Sequence, residues 1–197
     1  MKVALLLVRH AATKGNREKR FIGATDEPLS ELGRLQAMER HLPEPQRVWC
    51  SPLRRAQESA QLLWPDQTPI VLPGFRELDF GQWEGKTWEQ VGNPAVYDPW
   101  IAEDSSAAFP GGETLGAFRA RTTDALKEIA AVCRKEGLNS AAIVTHGGVL
   151  MALLSAHALP HHNYFHWSCP NLGGFQVTLD LKTLCMTELC VLPEVKT

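Results

Sequence analysis

Four short stretches of this sequence carry side chains suited to handling an anion. In "LLLVRHAATKGN" an apolar run from Val3 to Val8 stops at Arg9 and His10, and Lys14, Arg17, Lys19 and Arg20 follow. In "IVTHGG" a second apolar run, Ala141 to Thr145, delivers His146. "SPLRRAQESA", residues 51–60, sets Arg54 and Arg55 side by side, and "RELDFGQWEG", residues 76–85, offers Glu77, Asp79 and Glu84 beside aromatic rings. Arginine's planar fork matches phosphate bidentately, and a neutral imidazole can attack phosphorus. Nearby arginines help to keep such an imidazole neutral by disfavouring a further positive charge. A lone histidine after a strand is ordinarily structural, so the pattern gains force only as a set.

The set can act together only if the chain brings its members to one place. Val3 to Val8 is a continuous apolar run bounded by charge, the pattern of a central strand buried on both faces, and Ala141 to Thr145 repeats it. Each ends on a histidine. Ser30 to His41 reads as a helix with Ser30 as N-cap, Gly33 as an unfavourable interior residue, and Pro43 and Pro45 beyond its end. Arg47 to Cys50 reads as a short strand, after which Ser51-Pro52 predicts an N-cap and a first helical proline for a helix reaching about Trp64. Ile70 to Leu72 fits another short strand.

Thr114 to Lys135 is the longest amphipathic segment, with Leu115, Phe118, Thr122, Leu126, Ile129 and Cys133 on one stripe. A helix is expected from about Val149 to His157, and a final hairpin from Phe175 to Asp180 and Leu184 to Val191, turning near Lys182. Between Gly74 and Gly112 periodicity weakens while Trp83, Trp88, Tyr97, Trp100 and Phe109 gather among prolines and glycines, which suggests a cap-like excursion. The fold class expected is α/β: a three-layer α/β/α sandwich with a mostly parallel central sheet, binding its ligand at the carboxyl ends of the strands.

The bulk properties narrow the classes. At 197 residues, one domain spanning 1–197 is the default. A formal net charge of −2 argues against a nucleic-acid partner. The six-residue run Val3 to Val8 is too short for a signal peptide and ends in charge, and no window approaches a membrane span of about 20 apolar residues. The five cysteines, Cys50, Cys133, Cys169, Cys185 and Cys190, are odd in number and lack CxxC spacing, which fits a reducing cytoplasm. His157, His161, His162 and His166 invite a zinc site. Pro160 interrupts any helix that would present the first two together, so no metal is expected.

In order along the chain, these stretches resemble the histidine phosphatase superfamily, which includes cofactor-dependent phosphoglycerate mutases. "RHAATKGN" is similar to its RHGxTxxN signature, "FIGATDEPLSELGRLQA" to GxxDxPLTxxGxxQA, "SPLRRAQESA" to SxLxRAxxTA, and "ELDFGQWEG" to ExxxGxWEG, with "FPGGET" and "VTHGG" following. The resemblance implies a phosphoglycerate mutase-like fold and assigns roles. His10 is the nucleophile that becomes phosphohistidine. Arg9, Arg55 and His146 hold the phosphoryl oxygens; Thr13, Asn16, Gly23 and Gly147 complete the substrate site. Glu77 is the general acid, with Asp79 and Glu84 as alternatives. One branch of the family takes its acid from an aspartate directly after the second histidine, a position held here by Gly147.

Two arginines and two histidines can stabilise a transferring phosphoryl group without metal or cofactor. The expectation is therefore a metal-independent, cytoplasmic phosphomonoesterase acting on a small phosphorylated metabolite, as a monomer or homodimer, with no nucleic-acid or membrane partner. Among phosphatases the pattern resembles α-ribazole phosphatases and broad-specificity relatives. Phosphoglycerate mutase is the nearest alternative; mutases of the family are generally longer, with an extended segment after the acid. A third reading is an inactive phosphate-binding regulator. Its one hint is Ala11, where the family has glycine and an added methyl could crowd the phosphate or meet a positive φ.

Overall fold

The computed structural model describes residues 1–92, 102 and 106–193. Its six strands are β1 (Lys2–Arg9), β2 (Val48–Cys50), β3 (Ile70–Val71), β4 (Ser140–Thr145), β5 (Gly174–Asp180) and β6 (Met186–Val191). They form one sheet in the order β3-β2-β4-β1-β5-β6. β3, β2, β4 and β1 are mutually parallel, while β5 pairs antiparallel with both β1 and β6. The helices are α1 (Lys14–Arg17), α2 (Glu31–Met38), α3 (Arg54–Leu63), α4 (Trp88–Val91), α5 (Leu115–Glu136) and α6 (Gly147–His157).

The unbroken apolar runs of β1 and β4 are explained by helices on both faces of the sheet. Val3, Leu5 and Leu7 pack with Phe118, Leu126 and Ile129 of α5 and Leu150 and Leu153 of α6. Their alternates Leu6 and Val8 pack with Ala37 of α2 and with Ala56, Ala60 and Leu63 of α3. β4 divides in the same way, Ala141 and Ile143 to one side, Ala142 and Val144 to the other. Because successive strand residues point to opposite faces, only a strand with both faces covered is apolar at every position. The three-layer α/β/α expectation therefore holds.

Several boundaries differ from the sequence reading. α3 begins at Arg54 with Leu53 as its N-cap and no side-chain cap. Ser51 is not a cap because its hydroxyl is engaged elsewhere, accepting the Leu53 N–H at 3.3 Å and lying 2.6 Å from His146 Nε2. α6 begins at Gly147, directly after His146, and not near Val149. Its two glycines look like helix breakers in sequence, yet they form the first turn, where backbone must pass close to a buried carboxylate. α2 ends at Met38, short of His41.

In place of regular structure after β3 come tight turns at Pro73–Phe75 and Gly81–Trp83, then α4. Phe75, Leu78, Trp83 and Phe109 nevertheless join the α5/α6 core cluster. Tyr97 and Trp100 of the expected aromatic excursion lie outside the described residues.

Gly33, the awkward residue inside α2, has a positional reason. A β-carbon there would lie far inside van der Waals contact distance of the Ala12 carbonyl oxygen. That same carbonyl accepts both the backbone N–H and the hydroxyl of Ser30, each at 2.9 Å, so it cannot move aside. Alanine is about 1 kcal/mol better than glycine in a helix interior. Gly33→Ala is nonetheless expected to destabilise the protein by about 2 kcal/mol through overpacking against fixed backbone; a urea midpoint at or above that of the unsubstituted protein would show that the contact relaxes.

Candidate active site

Parallel register brings the site together. Arg9 pairs with Thr145 at the ends of β1 and β4, and Cys50 pairs with Val144 at the end of β2. The next residue of each strand, His10, His146 and Ser51, therefore emerges at the carboxyl edge of three adjacent strands. Backbone bonds from His10 N to Thr145 O (2.8 Å) and Ser51 N to Val144 O (3.0 Å) carry the ladder one step past the strands. The two imidazoles meet edge to face with centroids 5.1 Å apart.

His10 is buried, and its Nδ1–H donates to the Ala11 carbonyl at 2.7 Å. A carbonyl can only accept, so Nδ1 carries the proton and Nε2 keeps its lone pair. Burial first, then the Arg55 and Arg9 guanidiniums, hold the ring well below its ordinary pKa, and it is neutral at pH 7. His146 is also depressed, by burial, Arg55, His10 and Arg9. Ala11 is not among the residues with positive φ, and its methyl packs in the α2/α3 core with Leu6, Val8 and Leu29. The departure from glycine thus strains no backbone. The Ala11 N–H is held by Ser59 Oγ at 2.9 Å, and that hydroxyl donates to the Arg55 carbonyl at 2.6 Å, tying the loop after His10 to α3.

Arg55 is fully buried, whereas Arg54 is exposed and pairs with Glu58. Arg55 donates to the carbonyls of Thr25 (2.7 Å), Gly23 (2.8 Å) and Ile22 (3.3 Å), and its Nε is buried without a partner. Burial pulls its pKa down, while Glu77, Glu27, Asp26 and Glu84 oppose the shift. Arg9 donates Nη1 to the Cys169 carbonyl at 2.7 Å, and its Nε is likewise buried and unpartnered. Buried donors are nearly always paired in native proteins, so two unpaired guanidinium N–H groups beside a neutral histidine make a receptor for an oxyanion.

Glu77 is buried, with Oε1 accepting from Leu78 N at 2.9 Å and Oε2 from Gly148 N at 3.0 Å. Gly148 is required there, since a β-carbon would collide with the carboxylate. Burial raises the carboxyl's pKa against the pull of the two N–H donors, Arg55 and Arg9. Arg121 fastens the segment from behind, donating to the carbonyls of Gly74, Arg76 and Glu77 and pairing with Glu113. Neither alternative acid is free. Glu84 accepts from the backbone of Gly23, Ala24, Thr25 and Phe80 and from the Thr25 hydroxyl, and Asp79 accepts from Gly81 N.

The cleft, about 190 Å³, is lined by Arg9, Asn16, Arg20, Glu77 and Gly147 among others, with Phe21, Phe80 and Met151 as its apolar wall. Asn16 Oδ1 accepts from Thr13 N and from Asn171 Nδ2, which turns its amide N–H₂ away from both. Thr13 and Gly23 stand behind the cleft. The Thr13 hydroxyl accepts the Asn16 N–H as the cap of α1, and the Gly23 carbonyl accepts from Arg55. The sequence reading missed Ser51, Ser59, Asn171 and Arg121, which act through contacts made 44 to 161 residues away along the chain. Of the four clustered histidines, His162 stacks on His166 at 3.9 Å, while His157 meets the Thr123 hydroxyl.

Residues 5–184 match the histidine phosphatase superfamily (branch 1). The chain belongs to this superfamily. It is 31% identical over 160 residues to the adenosylcobalamin/α-ribazole phosphatase of Salmonella typhimurium, covering 77% of each chain. It is also 31% identical over 160 residues to a metal-independent phosphoserine phosphatase of Arabidopsis thaliana; that match covers 76% of this chain but 66% of the relative, just under two thirds. The native structure of mycobacterial glucosyl-3-phosphoglycerate phosphatase superposes with a TM-score of 0.80 at 29% identity, covering 97% of this chain and 98% of that one. Histidine phosphatase relatives thus share the fold across nearly the full length, and no helix among the described residues is long and apolar enough to cross a membrane.

Two outcomes follow from this geometry. Histidines kept neutral by burial contribute stability that is present above the unfolded pKa of about 6.5 and lost as pH falls below it, because the unfolded chain takes up protons that the native state refuses. Glu77, with its raised pKa, acts with the opposite sign, one group against two. The urea midpoint should therefore drop between about pH 7 and pH 5.5, less steeply in His10→Gln; equal slopes would refute the buried, neutral ring. Glu84→Gln removes the charge that gathers the 23–25 loop under Arg55 and should cost about 2 kcal/mol, with weaker binding of inorganic phosphate measured by calorimetry.

Proposed function

We propose that this protein is a metal-independent phosphomonoester hydrolase working through a phosphohistidine at His10. The observation that carries the reading is the state of that ring: its Nδ1–H is committed to the Ala11 carbonyl, which leaves Nε2 as a lone pair on a buried ring whose positive charge the Arg55 and Arg9 guanidiniums disfavour. In the first step Nε2 attacks phosphorus and the ester P–O bond breaks, while Glu77 gives its proton to the departing alkoxide. Arg9, Arg55, His146 and the Asn16 amide stabilise the equatorial oxygens. In the second step water attacks the phosphohistidine, Glu77 takes its proton, and the P–N bond breaks to release phosphate.

The leaving-group side supports a substrate whose alcohol carries an apolar or aromatic ring. Beside Glu77 a recess is lined by Phe80, Phe109, Met151, Tyr164 and Phe165. We take α-ribazole 5'-phosphate as the leading candidate, in keeping with the Salmonella relative's name. The unstrained Ala11 weighs against an inactive phosphate binder. The five unpaired cysteines fit the cytoplasm, and we read the chain as one catalytic domain.

The test is hydrolysis of para-nitrophenyl phosphate in the presence of EDTA. His10→Ala should abolish turnover, and Glu77→Gln should lower kcat by about 10² to 10⁴. The deficit of Glu77→Gln should shrink for esters with better leaving groups, which need less protonation. Activity surviving in His10→Ala would overturn the mechanism. Preference for phosphoserine or phosphoglycerate over α-ribazole 5'-phosphate would overturn the substrate assignment.

A further inference from the structure

The hydroxyl of Ser51 belongs to none of the roles above, yet it is fully buried and lies 2.6 Å from His146 Nε2. We infer that Ser51 is a positioning residue that fixes the proton of neutral His146 on Nδ1, making that nitrogen the donor toward the phosphoryl group. The argument is a count of protons and lone pairs. Ser51 Oγ accepts the Leu53 N–H at 3.3 Å, and no acceptor other than His146 is within reach of its own proton among the described residues. If Nε2 carried the hydrogen, the serine proton would be buried without an acceptor. If the serine donates to Nε2, the single ring proton sits on Nδ1, and the one donor left unpaired is on the ring beside His10, where a phosphoryl oxygen can accept it, and not on the enclosed serine.

Nδ1 is buried without a partner, on the ring that meets His10 edge to face at 5.1 Å. A protonated Nδ1 offers a hydrogen bond to a phosphoryl oxygen, whereas a lone pair there would repel it. A catalytic imidazole in the wrong tautomer loses activity even with its position intact, and the hydrogen bond at one ring nitrogen sets the tautomer. Ser51 is placed to act by the same register that places the two histidines, one step beyond β2, and it becomes available because it does not cap α3.

The consequence for turnover rests on the phosphohistidine reading; the tautomer does not. The test therefore begins with two-bond proton–nitrogen correlation spectra of the full chain carrying ¹⁵N-histidine, with His146 assigned by comparison with His146→Gln. The ring nitrogens of His146 should show Nδ1 protonated and Nε2 unprotonated. Nε2 protonated in the unsubstituted protein would overturn the inference, whatever its turnover. Ser51→Ala should shift the ring toward the Nε2–H form, lower kcat on para-nitrophenyl phosphate by about 10- to 100-fold and weaken inhibition by inorganic phosphate, with Ser51→Thr restoring all three; loss of the donor outright costs about 10² to 10³. A Ser51→Ala protein with the original tautomer and turnover would also overturn it. The expected tautomer in a protein that turns over nothing would sink the phosphatase reading and leave this one standing.

Discussion

The register of three parallel strands is the constraint on which the rest of this structure depends. β1 and β4 end level and β2 one residue short of them, so that Ser51, His146 and His10 emerge as neighbours where the strands stop. A shift of one residue in any pair would turn a side chain to the opposite face of the sheet. The helices on both faces prevent that shift, because each strand divides its apolar residues between two separate cores. Chemistry at the edge is thus secured by packing several residues below it.

Around that edge, charge is managed by backbone more than by opposing side chains. Arg55 is held by three carbonyls of the 22–25 loop, and Arg9 by the carbonyl of Cys169. The carbonyls orient the guanidiniums without neutralising them. The 22–25 loop is gathered in turn by the Glu84 carboxylate, and the segment carrying Glu77 by Arg121. These outer contacts let two cations, two neutral imidazoles and one carboxyl of raised pKa stay close together in a buried site.

The corrections to the sequence reading share this origin. Ser51-Pro52 has the local signature of a helix start, but the hydroxyl is drawn away by His146, 95 residues distant. Gly147-Gly148 has the signature of a break, but a carboxylate 71 residues distant needs the bare backbone of a helix first turn. Gly33 lowers helix propensity, and the approach of the Ala12 carbonyl explains its presence. In each case a contact remote in sequence outweighs a local preference worth about 1 kcal/mol.

By itself the sequence determined the alternation of strands and helices and the doubly buried strands, and it grouped His10, Arg9, Arg55, His146 and Glu77 as candidate site residues, because hydrophobic period and ordered motifs are local properties of the chain. Only the tertiary structure decided that Arg55 and not Arg54 is buried, that Glu84 is fully occupied by the 23–25 loop, and that Ala11 fits without strain. It alone revealed the supporting contacts of Ser51, Ser59, Asn171 and Arg121. Burial, proton placement and hydrogen-bond pairing depend on which distant groups share a space, and no spacing along the chain encodes that.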